Sequence, residues 1–86
     1  MIYRAELSKE ALAQLGGFPS AAMDALIVAL SWVVEYPADP LRTWPTEHPY
    51  VRRAQFGRPD GAVGLVTYRI DDGARTVTVS DVTWVG

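Results

Sequence analysis

The sequence predicts an α+β domain in which one strand, a helical hairpin and three antiparallel strands follow one another. Three observations predict this fold class. The first residues alternate in hydropathy, two helical patterns meet at a glycine pair, and three strand-like runs separated by turn sequences fill the last third of the chain. With 86 residues, a single domain over 1–86 is expected. We therefore expect the order β-α-α-β-β-β, with the hairpin packed on an antiparallel sheet.

The first strand and the first helix are predicted from the N-terminal third. Ile2–Leu7 alternates with the period of two that is typical of a strand. Ser8 then fits a helix N-cap, and Leu12 contributes to an apolar edge. Gly16 and Gly17 end this short helix, because glycine tolerates the left-handed conformation that follows many helices.

A second, longer helix opens after Pro19 and ends before Pro37, whose ring would clash with the preceding turn. Its apolar residues recur at the spacing of one helical face: Met23, Leu26, Ile27, Leu30, Val33 and Val34. The segment Pro37–Pro49 carries four prolines and no periodicity, which predicts a long loop.

The three C-terminal strands are predicted at Tyr50–Phe56, Ala62–Ile70 and Arg75–Val85. Turns join them at Pro59-Asp60-Gly61 and at Asp72-Gly73, where glycine would supply positive φ. In the last strand the apolar positions change parity, which predicts a β-bulge near Ser80-Asp81.

Composition limits the function. The net charge of −2 and the pI of about 5.1 give no general attraction to nucleic acid, so RNA or DNA binding would need a local basic patch. Five of the eight cationic residues lie in the C-terminal strand region. Without cysteine, and with His48 as the only histidine, neither a strong metal site nor a cofactor is expected. The N-terminus does not resemble a signal peptide and no apolar stretch is long enough to span a bilayer, so we expect a cytoplasmic protein without membrane contact.

The ordered set of elements resembles the RelE/ParE superfamily of bacterial toxins from toxin–antitoxin pairs. The resemblance covers essentially the whole chain. The segments that carry it match the family's opening strand, interhelix link, end of the second helix and three last strands. They are Tyr3–Leu7 with Ser8, Leu15-Gly16-Gly17-Phe18-Pro19, Glu35-Tyr36-Pro37, Tyr50-Val51-Arg52-Arg53, Leu65–Asp72, and Val77-Thr78-Val79 with Val82.

This resemblance implies a toxin held inactive by an antitoxin peptide that wraps the helices and the sheet. The RelE-like branch cuts mRNA on the ribosome without a metal, and the ParE-like branch acts on DNA gyrase. Cleavage next to a 2′-hydroxyl needs cations around the phosphate and groups that move protons. The family places such residues on the concave face of the sheet and just after the last strand.

The resemblance gives the catalytic and RNA-binding candidates, and the tryptophan in the predicted loop and the apolar helical stripe give the partner-binding candidates. The catalytic candidates are Arg52, Arg53 and Tyr68, with Tyr50 as the alternative acid or base; the RNA-binding candidates are Arg58, Arg69 and Trp84; and the partner-binding candidates are Trp44, Met23 and Leu26.

The sequence also departs from the family pattern. Arg52 and Arg53 are adjacent, so they point to opposite faces of a strand and only one can reach a concave site. Leu65 stands where the family has a cation, and no basic residue follows Val82. Tyr68 and Trp84 would equally serve as packing residues.

Four functional alternatives therefore stay open: a toxin bound by an antitoxin, an active ribonuclease, a gyrase inhibitor and a binding module without catalysis. Two copies could also pair through Ile2–Leu7 or through the helical face.

Overall fold

The computed structural model describes residues 2–58 and 61–85, and it builds two helices on one face of a five-stranded sheet. The elements in chain order are β1 Arg4–Leu7, α1 Lys9–Leu15, α2 Ser20–Val33, β2 Thr43–Pro45, β3 Val51–Gly57, β4 Val63–Asp71 and β5 Thr76–Val85. The strand order is β1-β5-β4-β3-β2. The predicted fold class is confirmed. The sheet is mixed, however, because β1 runs parallel to β5 while the other pairs are antiparallel.

The predicted loop between α2 and β3 contains a short strand that the sequence pattern did not indicate. β2 pairs with β3 through Thr43 opposite Ala54 and Trp44 opposite Arg53. The prolines of this segment misled the interpretation, since proline is compatible with an edge strand as well as with a loop. The sheet therefore has one more edge strand than predicted.

The helices begin close to where the sequence placed them. The Ser8 Oγ accepts a hydrogen bond from the Ala11 N–H at 3.1 Å, which confirms the predicted N-cap. Gly16, however, has φ of −60° and not the expected left-handed conformation. Leu12 is exposed instead of forming an apolar edge.

The buried stripe of α2 is shifted relative to the prediction. It consists of Ala22, Leu26, Ala29 and Val33. Ile27 is 62% exposed, although it was expected on the buried face. Two alanines belong to the true stripe, and their small side chains let the helix approach the sheet closely. Leu26 and Val33 of the predicted stripe are buried, so the prediction was wrong for Ile27 and missed the two alanines.

The side chains beneath the helices form the core. The sheet contributes Ala54, Phe56, Val66, Tyr68, Val77, Val79 and Val82. Gly64 lies directly under the Phe56 ring, where a Cβ atom would stand 2.2 Å from the ring carbon Cζ. Glycine at this position therefore gives Phe56 room to stack on Trp84, with ring centroids 5.6 Å apart.

The predicted β-bulge is present in β5. Thr67 pairs with Asp81 while Tyr68 pairs with Val79, so Ser80 is the extra residue. Gln14 of α1 fixes this irregularity with two hydrogen bonds, because its Nε2 donates to the Asp81 carboxylate at 2.8 Å and its Oε1 accepts from the Val82 N–H at 2.8 Å. The bulge returns Val82 to the core.

The two predicted turns differ in outcome. Pro59 and Asp60 lie outside the described residues. In the β4–β5 turn, the Asp71 carboxylate accepts a hydrogen bond from the Ala74 N–H at 3.0 Å, and positive φ falls on Arg75 at 55° and not on Gly73.

Candidate nucleic-acid interface

One face of the sheet carries no helix, and we call it the open face. Residues adjacent in a strand point to opposite sides, so the neighbours of the buried Ala54, Val66 and Tyr68 lie on this side. The open face includes Trp44, Val51, Arg53, Gln55, Leu65, Thr67, Arg69, Thr78 and Thr83, together with Arg4 and Glu6 of β1, which lie beside Thr76 and Thr78.

Two arginines lie at the middle of the open face. Arg53 is directly opposite Thr67, which places Arg69, two residues further along β4, diagonally next to it. Such diagonal neighbours lie about 7–8 Å apart. Within residues 2–58 and 61–85, neither guanidinium forms a hydrogen bond or an ion pair; the ion pairs are Arg4–Glu6 and Arg42–Asp39, each at 3.9 Å. A local cationic patch therefore exists despite the acidic composition.

Arg52 lies on the opposite side of the sheet, in a cleft of about 860 Å³ beyond the end of α2. Its Nε donates to the Thr43 Oγ1 at 2.8 Å and its Nη2 to the Thr43 carbonyl at 3.4 Å. Tyr36 and Tyr50 also line this cleft. The two adjacent arginines are thus separated by the sheet, as the alternation predicted, and only Arg53 reaches the open face.

The far wall of the same cleft is built by the N-terminus and the β4–β5 turn. The Tyr3 hydroxyl donates to the Asp72 carboxylate, and this hydrogen bond raises the pKa of Tyr3. Arg75 donates to the Tyr3 oxygen at 3.3 Å and lies 5.4 Å from the centre of the ring. These side chains are engaged with one another and hold β1 against the turn.

Tyr68 is completely buried in the core. Its hydroxyl donates a hydrogen bond to the Pro37 carbonyl at 2.6 Å, and burial raises the pKa of Tyr68 to about 12. The structure thus places this catalytic candidate behind the sheet, where its proton is held inside the protein. Of the predicted catalytic set, Arg53 alone lies on the open face.

The RNA-binding candidates are divided as well. Arg69 joins Arg53 on the open face. Trp84 packs against Phe56 on the helix side, so its ring is part of the fold. Arg58 follows β3 and lines a shallow groove beside Val28 and Trp32 of α2.

The partner-binding candidates lie in three environments. Leu26 is 2% exposed and Met23 is half-buried, because both pack toward the core. Trp44 is 40% exposed on the open face. The apolar side chains that α2 does present outward, Ile27 and Val28, were not among the candidates, and the shifted helical stripe explains the omission.

Two kinds of site receive no support from the described part of the chain. Residues 2–58 and 61–85 contain no group of three or more histidine, aspartate or glutamate side chains that could hold a metal ion. None of the helices in those ranges has the length and apolar character needed to cross a membrane.

Two helices on one face of a small mixed sheet are also the fold of RelE toxins of known structure. The E. coli RelBE toxin–antitoxin complex matches with a TM-score of 0.78 and 20% identity over 98% of each chain. RelBE2 of Mycobacterium tuberculosis matches with a TM-score of 0.76 and 22% identity, over 95% of this chain and 96% of that one.

The similarity extends to archaea. The RelE–RelB complex of Pyrococcus horikoshii OT3 matches with a TM-score of 0.68 and 13% identity, over 96% of this chain and 94% of that one. No protein-family model and no curated protein sequence matches this chain. At these identities the likeness establishes that the chain has the RelE fold.

The sequence interpretation missed that Trp44 and Arg53 share a face. The signal was present in Thr43-Trp44-Pro45, where a β-branched and an aromatic residue precede a proline compatible with an edge strand. Recognising β2 would have placed Trp44 beside the cationic patch.

Proposed function

We propose that this chain is the toxin of a type II toxin–antitoxin pair and that its open face binds RNA. The observation that carries the proposal is the RelE fold over 95–98% of the chain, combined with two unpaired arginines on the open face. The related structures are complexes of RelE with RelB antitoxins, so a RelB-like antitoxin is the partner that we propose for this chain.

The arginines suit the phosphate part of the chemistry. Cleavage beside a 2′-hydroxyl concentrates negative charge on the phosphate, and preorganised cations stabilise that charge. Arg53 and Arg69 supply two such cations, and no carboxylate of the described residues lies within ion-pair distance of either. Binding of RNA phosphates is therefore the activity that these side chains support directly.

A second candidate function, RNA binding without cleavage, is favoured by the placement of the acid–base candidates. Proton transfer requires a titratable group within hydrogen-bond reach of the substrate. The open face, as described, contains no tyrosine, histidine or lysine, and Tyr68 is buried behind it. Tyr50 is exposed, but it lines the cleft on the other side of the sheet.

Inducible expression in a bacterial host, with transcript 5′-end mapping, tests the proposal. We expect the wild-type chain to slow growth and the double variant Arg53→Ala/Arg69→Ala to relieve the effect, because the phosphate contacts are lost. The matched control, Lys9→Ala/Arg42→Ala, removes the same charge away from the open face and should remain inhibitory. A wild-type chain that leaves growth unchanged would contradict the toxin proposal.

The same experiment separates the alternatives. New transcript ends that depend on Arg53 and Arg69 would identify a ribonuclease, whereas growth inhibition without new ends supports binding alone. Inhibition of supercoiling by purified gyrase, unaffected by the arginine variants, would instead identify a gyrase inhibitor and overturn RNA binding.

The antitoxin is tested by co-expression with a small neighbouring reading frame. The outward side chains Ile27 and Val28, 62% and 64% exposed, are apolar surface on α2 that a wrapping peptide would cover. We expect Ile27→Ser/Val28→Ser to weaken co-purification. Leu41→Ser, which changes an exposed apolar residue outside the helices, is the control. Failure of any neighbour-encoded peptide to co-purify with the wild type would argue against this partner.

A further inference from the structure

We infer that Trp44 is a stacking platform for an unpaired base and that it restricts the open face to single-stranded RNA. This inference rests on the proposed function, because it concerns the same face, and it assigns Trp44 to the RNA and not to a protein partner.

The first argument is that the Trp44 ring is vacant. Of the three tryptophans, Trp32 lies under the Arg42 guanidinium at 5.1 Å and Trp84 stacks on Phe56. Within residues 2–58 and 61–85, the Trp44 side chain forms no aromatic, cation–π or hydrogen-bond contact, and 40% of its surface is exposed. A large π-face is thus available to a ligand.

The second argument is that the backbone that carries Trp44 is anchored although the ring is exposed. The preceding residue, Thr43, is buried, and its N–H and hydroxyl both donate to the Asp39 carbonyl, at 2.9 and 2.7 Å. The Thr43 Oγ1 also accepts from the Arg52 Nε at 2.8 Å. Because the backbone is fixed at Thr43 and Pro45, stacking of a base on Trp44 costs little backbone freedom.

The third argument is the position of the ring relative to the cations. Trp44 is directly opposite Arg53, so their Cβ atoms lie about 5 Å apart, and Arg69 is on the next strand. A flat aromatic surface beside cations that track a phosphate backbone is the arrangement by which proteins bind single strands. In a duplex the bases stack on one another and are not available to Trp44, which is why the platform selects single-stranded RNA.

Fluorescence anisotropy with the purified full chain tests the inference. The probes are a labelled ten-nucleotide unstructured RNA, the same RNA in a duplex, the same sequence as single-stranded DNA, and an abasic ribose-phosphate strand. We expect Trp44→Ala to weaken binding of the single-stranded RNA about tenfold or more. Trp44→Phe should retain most of the affinity, and Leu41→Ala, which truncates another exposed apolar residue, should be neutral.

The salt dependence separates stacking from charge. Trp44→Ala should leave the slope of log affinity against log salt unchanged, whereas Arg53→Ala should lower its magnitude by about 0.7. The emission of Trp44 is obtained by subtracting the tryptophan fluorescence of Trp44→Phe from that of the wild type. Quenching of this emission when RNA is added would show that the Trp44 ring contacts the RNA. The abasic strand should bind wild type and Trp44→Ala equally, because it offers no base.

Several outcomes would overturn the inference. If wild type and Trp44→Ala bind the single-stranded RNA equally, Trp44 is not a stacking platform. If Trp44→Ala loses as much affinity for the duplex as for the single strand, the substitution disturbs the open face in general. Loss of antitoxin binding with RNA binding intact would make Trp44 a partner anchor. Equal affinity for the DNA strand would overturn the assignment to RNA. If the wild-type chain binds none of the probes, the RNA face itself fails, and growth inhibition still reports on the toxin proposal separately.

Discussion

The covered and the open faces of the sheet are built from alternate residues of the same strands, yet they have opposite chemistry. In β4, Val66 and Tyr68 are buried under the helices, while Thr67 and Arg69 between and beyond them face away. The covered face packs apolar side chains around the hydrogen-bonded hydroxyls of Tyr68 and Thr43. The open face offers cations and a vacant indole. Neighbouring residues of one strand thus serve the core and the candidate site. Substituting each of two such neighbours separately therefore distinguishes an effect on stability from an effect on binding.

The largest expected effect comes from truncating the biggest core side chain. Tyr68→Ala removes a completely buried ring and should lower the free energy of unfolding by about 3–5 kcal/mol. Arg69→Ala, its neighbour on the open face, should change it by less than about 0.5 kcal/mol. Urea denaturation of both variants gives the comparison. Similar losses for the two would break the distinction between the faces.

A smaller effect is expected from adding one methyl group. Gly64→Ala places a Cβ atom 2.2 Å from the Phe56 ring and should cost about 1–3 kcal/mol through overpacking. Gly17→Ala, where no atom lies within 4 Å of the added Cβ, should not show this loss. Phe56→Leu in the Gly64→Ala background should recover part of the stability. Absence of any recovery would show that the ring is not the cause.

The hydroxyl of Tyr68 can be removed without its ring. Tyr68→Phe leaves the buried Pro37 carbonyl without its donor and should cost about 1–3 kcal/mol at neutral pH. Because the folded pKa is raised from 10.0 to about 12, this phenol stabilises the fold fully below pH 10, and that stabilisation is lost as the pH rises toward 12. Urea denaturation between pH 8 and 12 should therefore show a steeper alkaline decline for wild type than for Tyr68→Phe. Parallel curves would contradict the burial of this hydroxyl.

The smallest effect concerns the bulge between the two faces. Gln14→Ala removes both hydrogen bonds that hold Asp81 and Val82 and should cost about 1 kcal/mol. Gln55→Ala, an exposed glutamine on the open face, should be nearly neutral by the same thermal or urea measurement. Equal values for the two glutamines would mean that the bulge does not depend on Gln14.

Much of the covered face could be predicted from the sequence, because buried residues recur with the period of the strand or helix, and the spacing of apolar residues reveals that period. The parity change after Val79 predicted the bulge correctly, since core packing forces Val82 back to the covered side. The stripe of α2 was predicted in part, at Leu26 and Val33, and Ala22 and Ala29 were missed because alanine carries a weak apolar signal. Small residues at a close helix–sheet contact are difficult to recognise from hydropathy alone.

The open face was less predictable. Alternation alone separated Arg52 from Arg53, but only the register between β3 and β4 shows that Arg53 and Arg69 are neighbours. Cross-strand register depends on turn length and on core packing. The residues next to Arg53 and Arg69 determine neither, so their sequence does not show that the two arginines are neighbours. Trp44 was assigned to a loop because its strand is three residues long and adjoins a proline.

The parallel pairing of β1 with β5 also has a consequence for how the chain acquires its structure. β1 and α1 are synthesised before β5, yet the surface on which both pack belongs to β5. Contacts between such distant segments require closure of a long loop, which slows folding relative to local contacts. The N-terminal segment therefore stays without its docking surface until β5 has been synthesised.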